Sequence, residues 1–320
     1  MSTYFYMKKL QINKIYQGDT LKVLKTFPDE CVDMVITSPP YYGLRDYGDP
    51  EQIGLEKTFE EYIVKLLAIT EQLKRVLKKD GTLWWNHGDS YNAGRDGGHP
   101  GGKKQWKPDQ QKFQGKSGVN IKGMNPKCML MQPYRLALRM IDEQQWILRN
   151  QIIWHKPNCM PSSATDRFTV DFEPMFFFVK NKKYYFDTQY EQFNSNDYDK
   201  ARMKGGRVEY KGKWDNDTTN PIQGQRGFCA GSQKGRIKRT TWKITTVSYK
   251  DAHFAVYPPA LIETPIKAGC PEKSIVLDPF FGSGTTGIVA QQLGRKWVGI
   301  ELNPEYIKLA EDRFKQTQLF

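Results

Sequence analysis

SIVLDPFFGSGTTGIVA, Ser274 to Ala290, is the stretch that decides the fold. A short aliphatic run, Ser274 to Leu277, reads as a strand and halts at Asp278-Pro279. Glycines follow, and Thr285 to Leu293 then reads as a helix. Gly282, Gly284 and Gly287 spell G-x-G-x-x-G, a spacing that lets a tight turn and a helix N-terminus approach a nucleotide. Alone, these glycines would also suit a generic strand-to-helix turn. The next apolar run, Trp297 to Glu301, ends in a carboxylate. In such folds an acid there accepts hydrogen bonds from ribose hydroxyls. Turn and acid together imply an adenosine-containing ligand held around Asp278, Phe280, Gly282, Gly284 and Glu301.

Two features narrow the ligand. Asp278 stands just before the glycines, where a pyrophosphate would meet its negative charge and an ammonium or sulfonium would not be repelled. The residues after Glu301 are too few to build the rest of a dehydrogenase, so the other half of the sheet must come from the N-terminal part of the chain. S-adenosylmethionine, with a ribose, no phosphate and a cationic sulfur, satisfies both points. A nicotinamide dehydrogenase satisfies neither.

Outward from this turn the chain alternates strands and helices. Ile15-Tyr16 and Val32 to Thr37 read as strands, Phe59 to Leu77 as a helix and Thr82 to Asn86 as a strand. Lys78, Lys79, Asp80 and Gly81 look like the end signal of that helix. Gln132 to Gln144 reads as a helix, and Trp146 to Trp154 and Glu173 to Val179 as strands. Pro258 to Lys267 reads as a helix, and Pro304 to Phe314 as the last one. This pattern predicts an α/β protein with a doubly wound, mostly parallel sheet. Residues 87–125 are polar, rich in Gly and Lys, and predict a mobile loop. Residues 187–245 are basic with aromatics interleaved, and predict an insertion outside the sheet. The expected organisation is 1–186, 187–245 and 246–320.

The other informative corner is VDMVITSPPYYGLRDYG, Val32 to Gly48. Two consecutive prolines fix φ and cannot donate, and Pro39 pushes Ser38 out of helical geometry. The strand therefore ends in a stiff corner carrying Ser38, Pro39, Pro40 and Tyr41.

TSPPY, DPFFGSGTT and GIELNPEYIKLAEDR together resemble the DNA amino-methyltransferases, which move a methyl group from S-adenosylmethionine to an exocyclic base nitrogen. Here the catalytic corner precedes the cofactor turn, as in the family's beta arrangement, and the resemblance covers roughly residues 13–187 and 250–315. It implies a Rossmann-like methyltransferase fold with a basic target-recognition insertion. It implies that Ser38 Oγ and the Pro39 carbonyl accept the two N–H groups of the target base, with Tyr41 stacking on a base that has left the duplex. Gly18-Asp19 resembles the adenine-contacting turn, and Asp19 equally suits a helix N-cap. His253 and Phe254 resemble the segment lining the methionine end. Thr285 and Thr286 stand where helix amides would meet the cofactor carboxylate. Asn303 suits either a cofactor contact or a helix cap.

Serine in the corner is common in the cytosine-N4 branch, whereas adenine-N6 enzymes more often carry Asp or Asn. The expected reaction is N4 methylation of cytosine, with adenine-N6 methylation and a DNA-binding protein lacking catalysis as alternatives. Attack at cytosine C5 would need a cysteine, typically in a Pro-Cys pair, and none occurs. The five cysteines include no Cys-x-x-Cys pair, so neither a zinc site nor a disulfide framework is indicated. No metal is expected.

A formal charge of +13 favours a polyanionic partner, double-stranded DNA. Arg45, Asn158, Arg167, Arg207, Arg226, Arg236, Lys238 and Arg239 are the candidate DNA contacts. No apolar run is long enough to span a membrane, and the N-terminus has no secretory pattern. A cytoplasmic, nucleoid-associated enzyme is expected, with a cognate restriction endonuclease as a possible partner.

Overall fold

Successive residues of the central strands pack into two different cores, and this makes the sheet two-sided. The computed structural model describes residues 7–44, 49, 51–92, 119–192, 236–247 and 257–317. The described strands are β1 (Lys14–Gln17), β2 (Val32–Thr37), β3 (Leu77–Asn86), β4 (Ile147–His155), β5 (Phe172–Val179), β6 (Tyr190–Glu191), β7 (Arg236–Ile237), β8 (Thr241–Lys243), β9 (Ile275–Asp278) and β10 (Lys296–Glu301). The helices are α1 (Thr20–Leu24), α2 (Phe59–Val76), α3 (Gln132–Asp142), α4 (Pro259–Gly269), α5 (Thr285–Gln292) and α6 (Pro304–Thr317).

Eight strands form one sheet in the order β1-β10-β9-β2-β3-β5-β4-β8. From β1 to β3 every pairing is parallel, while β5 runs antiparallel to both β3 and β4. Val35, Leu83, Trp85, Phe176, Phe178 and Leu277 join the core under α1, α2 and α3. Met34, Ile36, Trp84, Phe177 and Val276 join the core under α4, α5 and α6. Helices thus cover both faces, and the strands read as near-continuous apolar runs because both sides are buried.

The chain forms two compact units, residues 1–187 with 240–320, and residues 188–239. The described part of the smaller unit is the antiparallel pair β6 and β7. Thr241–Lys243, expected outside the sheet, is its edge strand β8, parallel to β4. Trp242 is buried between the outward-facing Thr241 and Lys243, a two-residue alternation too short to stand out in a basic stretch.

Lys78 to Gly81 were expected to cap a helix. They belong instead to β3, and Leu77 is already extended. Gly81 is needed for space: a Cβ there would lie 2.7 Å from the Asp33 carbonyl oxygen. The start of the expected mobile loop is also ordered. His87 is fully buried, and Tyr91 and Asn92 bridge to Met129 and Val119. Residues 93–118 lie outside the described residues, as do Arg45, Arg207, Arg226, His253 and Phe254. Among the described residues no helix is long and apolar enough to cross a membrane.

Candidate active site

β2, β9 and β10 end side by side, and a cavity of about 460 Å³ opens beyond their C-terminal ends. This is the edge where open parallel sheets bind ligands, and the volume suits a small molecule.

The glycine corner forms one end. Gly282 and Gly284 have φ of +52° and +82°, and Gly284 caps α5 in the left-handed region. Such angles strain any residue with a Cβ. Glu301, at the end of β10, accepts from the Gly282 amide at 2.7 Å and from the Asn303 amide at 2.9 Å. Burial pushes its carboxyl upward, and the two amide bonds oppose that. Asp19 caps α1 by accepting from the Lys22 amide at 2.8 Å, and Thr20 donates to the Pro279 carbonyl at 2.8 Å. Asn303 caps α6 by accepting from the Glu305 amide at 2.8 Å. Asp19, Phe280, Gly282, Thr285, Glu301 and Asn303 all line the cavity.

Asp278, Gly284 and Thr286 do not line it. Asp278 is 1% exposed. It accepts from Thr37 Oγ1 (2.6 Å), the Phe280 amide (3.0 Å), Tyr257 Oη (2.9 Å) and Thr286 Oγ1 (2.5 Å). Burial outweighs these four donors and raises its pKa to about 6. Asp278 therefore ties the two strand ends together from behind the cavity wall.

The proline corner forms the other end. Ser38, Pro39, Pro40 and Tyr41 all line the cavity. Ser38 Oγ lies 3.2 Å from Tyr41 Oη, and Tyr41 donates to Glu173 Oε2 at 3.0 Å. The second Glu173 oxygen pairs with Lys156, whose ammonium sits 4.3 Å from the centre of the Trp154 ring. Gly88 makes room for this group, since a Cβ there would lie 2.6 Å from Tyr41 Cε2.

A second chain of hydrogen bonds holds the corner's backbone. Trp85 donates its indole N–H to His87 Nδ1 at 3.4 Å, leaving the ring proton on Nε2. Nε2 lies 3.0 Å from Tyr62 Oη, and Tyr62 donates to the Pro40 carbonyl at 2.9 Å. Burial lowers the His87 pKa to about 3, so the ring is neutral. Among the described residues none donates to the Pro39 carbonyl.

Lys156, Glu173, Tyr257 and Asn86 also line the cavity and were not singled out from sequence as site residues. Glu173 carried a signal, a carboxylate at the mouth of an otherwise apolar strand. His87 was hidden by the polar composition that follows it. Asn158 lies outside the lining, with its side-chain amide both donating to and accepting from the Thr246 backbone (3.1 and 2.9 Å). Arg167 stacks on Tyr91 at 3.6 Å. In the smaller unit Arg236 and Arg239 share Glu191, and the Lys238 amide donates to the Gln189 carbonyl.

Among the described residues the lining contains five acids, Asp19, Asp49, Glu51, Glu173 and Glu301, against one cation, Lys156. An acidic cavity in a chain of charge +13 suits a ligand carrying an ammonium and a sulfonium, and opposes a pyrophosphate. Carboxylates for ribose hydroxyls beside the apolar surfaces of Phe280, Ile300 and Leu302 fit an adenosine. The residues present therefore fit S-adenosylmethionine. Among the described residues no cluster of His, Cys, Asp or Glu is arranged to hold a metal ion.

Residues 32–312 match a family described as DNA methylase. The chain is 39% identical over 306 residues to the type II methyltransferase M.XycI of Xanthomonas campestris pv. cyanopsidis, covering 96% of this chain and 89% of that one. It is 38% identical over 304 residues to M.SmaI of Serratia marcescens, covering 94% and 90%. Among solved structures it resembles the cytosine-N4-specific PvuII DNA methyltransferase, with a TM-score of 0.61 at 22% identity over 96% of this chain and 87% of that one. It also resembles a DNA modification methylase of Thermus thermophilus complexed with S-adenosylmethionine, with a TM-score of 0.54 at 22% identity over 94% of each chain. At that identity the two structures speak for the fold. With the family match spanning both corners of the cavity and the relatives aligned over nearly the whole chain, the protein belongs to the DNA methylase family, the S-adenosylmethionine-dependent amino-methyltransferases of DNA.

Proposed function

We propose that the protein is a type II DNA methyltransferase specific for the exocyclic N4 of cytosine. The observation that carries this reading is the Ser38 hydroxyl, with no carboxylate or carboxamide at that place in the corner, opening onto the same cavity as Glu301. The cofactor supplies an electrophilic methyl group on a sulfonium. Every other step falls to this chain. Glu301 receives the ribose hydroxyls, Asp19 the adenine amino group, and Thr285 stands at the helix end that faces the cofactor carboxylate.

The N4 lone pair of cytosine is delocalised into the ring, so the amino group must be turned before it can attack. Ser38 Oγ accepts one N–H and the Pro39 carbonyl accepts the other. The Trp85–His87–Tyr62 chain holds the next carbonyl, Pro40, and keeps the corner in place. Tyr41, backed by His87 at 5.2 Å, stacks on the base. Lys156 donates to N3, the ring acceptor beside the amino group. As the N–C bond forms, N4 must lose a proton. That proton passes to Ser38 Oγ, the Ser38 hydrogen passes to Tyr41 Oη, and the Tyr41 hydrogen passes to Glu173, which ends protonated.

We assign target recognition to residues 187–245, with Arg207, Arg226, Arg236, Lys238 and Arg239 meeting DNA, and backbone or base contact to Arg45, Asn158 and Arg167. The type II relatives favour a cognate endonuclease and a cytoplasmic enzyme working at the nucleoid. The test is to incubate the protein with unmethylated DNA and S-adenosylmethionine, digest to nucleosides and identify the product by mass spectrometry. N4-methylcytosine is expected. N6-methyladenine would sink the base assignment and leave the fold and cofactor standing.

A further inference from the structure

Both strands that frame the base end of the cavity are joined by one loop. β4 ends beside Lys156 and β5 begins at Phe172-Glu173, and Lys156 and Glu173 both line the cavity. The loop between them, residues 157–171, therefore leaves and re-enters the fold at the cavity's rim. It carries large apolar side chains in solvent: Phe168 is 96% exposed and Met160 is 87% exposed. An almost bare phenyl ring gains nothing from burial in this state, so the folded body does not explain it. Exposed apolar groups gathered in one segment mark a contact surface.

The residues just before Phe168 are held in place. Asp166 pairs with Lys127 at 2.6 Å, and the Arg167 guanidinium stacks on Tyr91 at 3.6 Å. Tyr91 bridges to Met129 and the Lys127 amide donates to the Asn92 carbonyl, so the two anchors stand on segments that are bonded to each other. At the loop's start, Asn158 clamps the Thr246 backbone. At its end, the Lys156 amide donates to the Asp171 carbonyl at 2.7 Å. The ring stands on a braced support, which lowers the ordering cost of inserting it into a partner.

We propose that Phe168 is the wedge that enters duplex DNA and fills the gap left when the target base moves into the cavity. The partner is a base-paired DNA stack, because the chain is strongly basic and the loop borders the cavity that receives the base. Apolar wedges of this kind unstack neighbouring base pairs and hold the duplex open. The proposal rests on the reading that the enzyme methylates a base taken out of the duplex, and it holds whether that base is cytosine or adenine.

The experiment uses the full protein and a duplex bearing the site mapped by sequencing DNA that the protein has methylated. One duplex keeps the target paired, and a second places an abasic site opposite it, so that no pair need be broken. A third carries 2-aminopurine at the target position to report unstacking. For Phe168→Ala, affinity for the paired duplex is expected to fall about tenfold, with loss of the 2-aminopurine signal. On the abasic duplex the loss should shrink to about twofold or less, and Phe168→Leu should restore part of it. S-adenosylmethionine affinity, read by calorimetry, should not change. Equal losses on both duplexes would make Phe168 an ordinary contact and overturn the wedge. No loss on either would remove it from the interface. If no methylated base is found on any DNA, the functional reading itself falls, and that outcome is distinct from both.

Discussion

Thr37 donates its hydroxyl hydrogen to Asp278 Oδ1 at 2.6 Å, across the parallel pair β2 and β9. Thr37 is the residue before Ser38, and Asp278 is the residue before the cofactor turn. One buried bond therefore sets the distance between the group that would hold the base and the turn that would hold the methyl donor. Removing it should be felt at the reacting atoms, where small misplacements cost rate. Thr37→Val keeps the shape and deletes the donor. It is expected to lower stability by about 1–3 kcal/mol, read from urea unfolding, and to lower turnover while S-adenosylmethionine still binds. Unchanged turnover would show that the two corners are placed independently.

Asp278 also makes a pH prediction. Its carboxyl titrates at about 6 in the fold against an ordinary value of 3.8, because burial penalises the charge. The folded state thus binds a proton that the unfolded chain has released between roughly pH 4 and 6. The group's contribution is most favourable below the unfolded value and is lost as pH rises through about 6, by on the order of 3 kcal/mol in all. Asp278→Asn is neutral throughout and lacks this slope. The unfolding free energy of the wild type relative to the variant should fall between pH 4.5 and pH 7.5. A constant difference would mean that Asp278 keeps an ordinary carboxyl.

The helix–strand order was readable because the strands are buried on both faces and the long helices carry apolar stripes. The run Val32–Thr37 and the helix starting at Phe59 fall where their patterns put them. The end of α2 was misread because Lys-Lys-Asp-Gly has the composition of a helix terminus. Only the close approach of Gly81 to Asp33 shows that the chain is already in the sheet. In the site, residues fixed by local turns were legible, such as Asp19 and Glu301. Lys156, Glu173 and His87 were not, since each is placed by contacts between different elements of the fold. Tyr41 and Glu173 are 132 residues apart, and nothing in a one-dimensional pattern joins them.

His87 and Tyr62 should matter without touching a substrate. Tyr62→Phe leaves the Pro40 carbonyl and the His87 ring each one partner short. A buried group left unpaired costs about 1–3 kcal/mol. The expected outcome is a lower unfolding midpoint and a lower kcat, with S-adenosylmethionine affinity retained. Because His87 titrates only near pH 3, the ratio of variant to wild-type rate should be flat from pH 6 to 9. A ratio that tracks pH in that range would show a charged histidine and refute the proton assignment.

Ser38 and Glu301 should separate in kinetics. Ser38→Ala is expected to leave cofactor affinity intact and to cost about 2–4 kcal/mol in the chemical step, read as a fall in kcat. Glu301→Ala removes a half-buried acceptor from the other end of the cavity and also frees the Gly282 and Asn303 amides. It should weaken S-adenosylmethionine binding first, seen by calorimetry without DNA. If Ser38→Ala turns over normally, the corner does not activate the base. If Glu301→Ala binds the cofactor normally, the adenosine end has been misplaced.

Among the described residues the charged lining of the cavity is mainly acidic, while the chain as a whole is basic. Binding of DNA by cations releases counterions, so affinity should fall steeply as salt rises, by about a thousandfold between 50 and 200 mM if six or more phosphates are met. S-adenosylmethionine, held in the cavity by hydrogen bonds and short-range charge, should change little in affinity over the same range. Arg236 and Arg239 both pair with the carboxylate of Glu191, which offsets part of the positive charge they offer a phosphate. Arg239→Ala should therefore weaken binding to every duplex alike and reduce the slope of log affinity against log salt by about one. Glu191→Gln should do the reverse and tighten non-specific binding, because it removes the negative charge that the two guanidinium groups share. A flat salt response in the wild type would show that the chain's basic charge is not a DNA-binding surface.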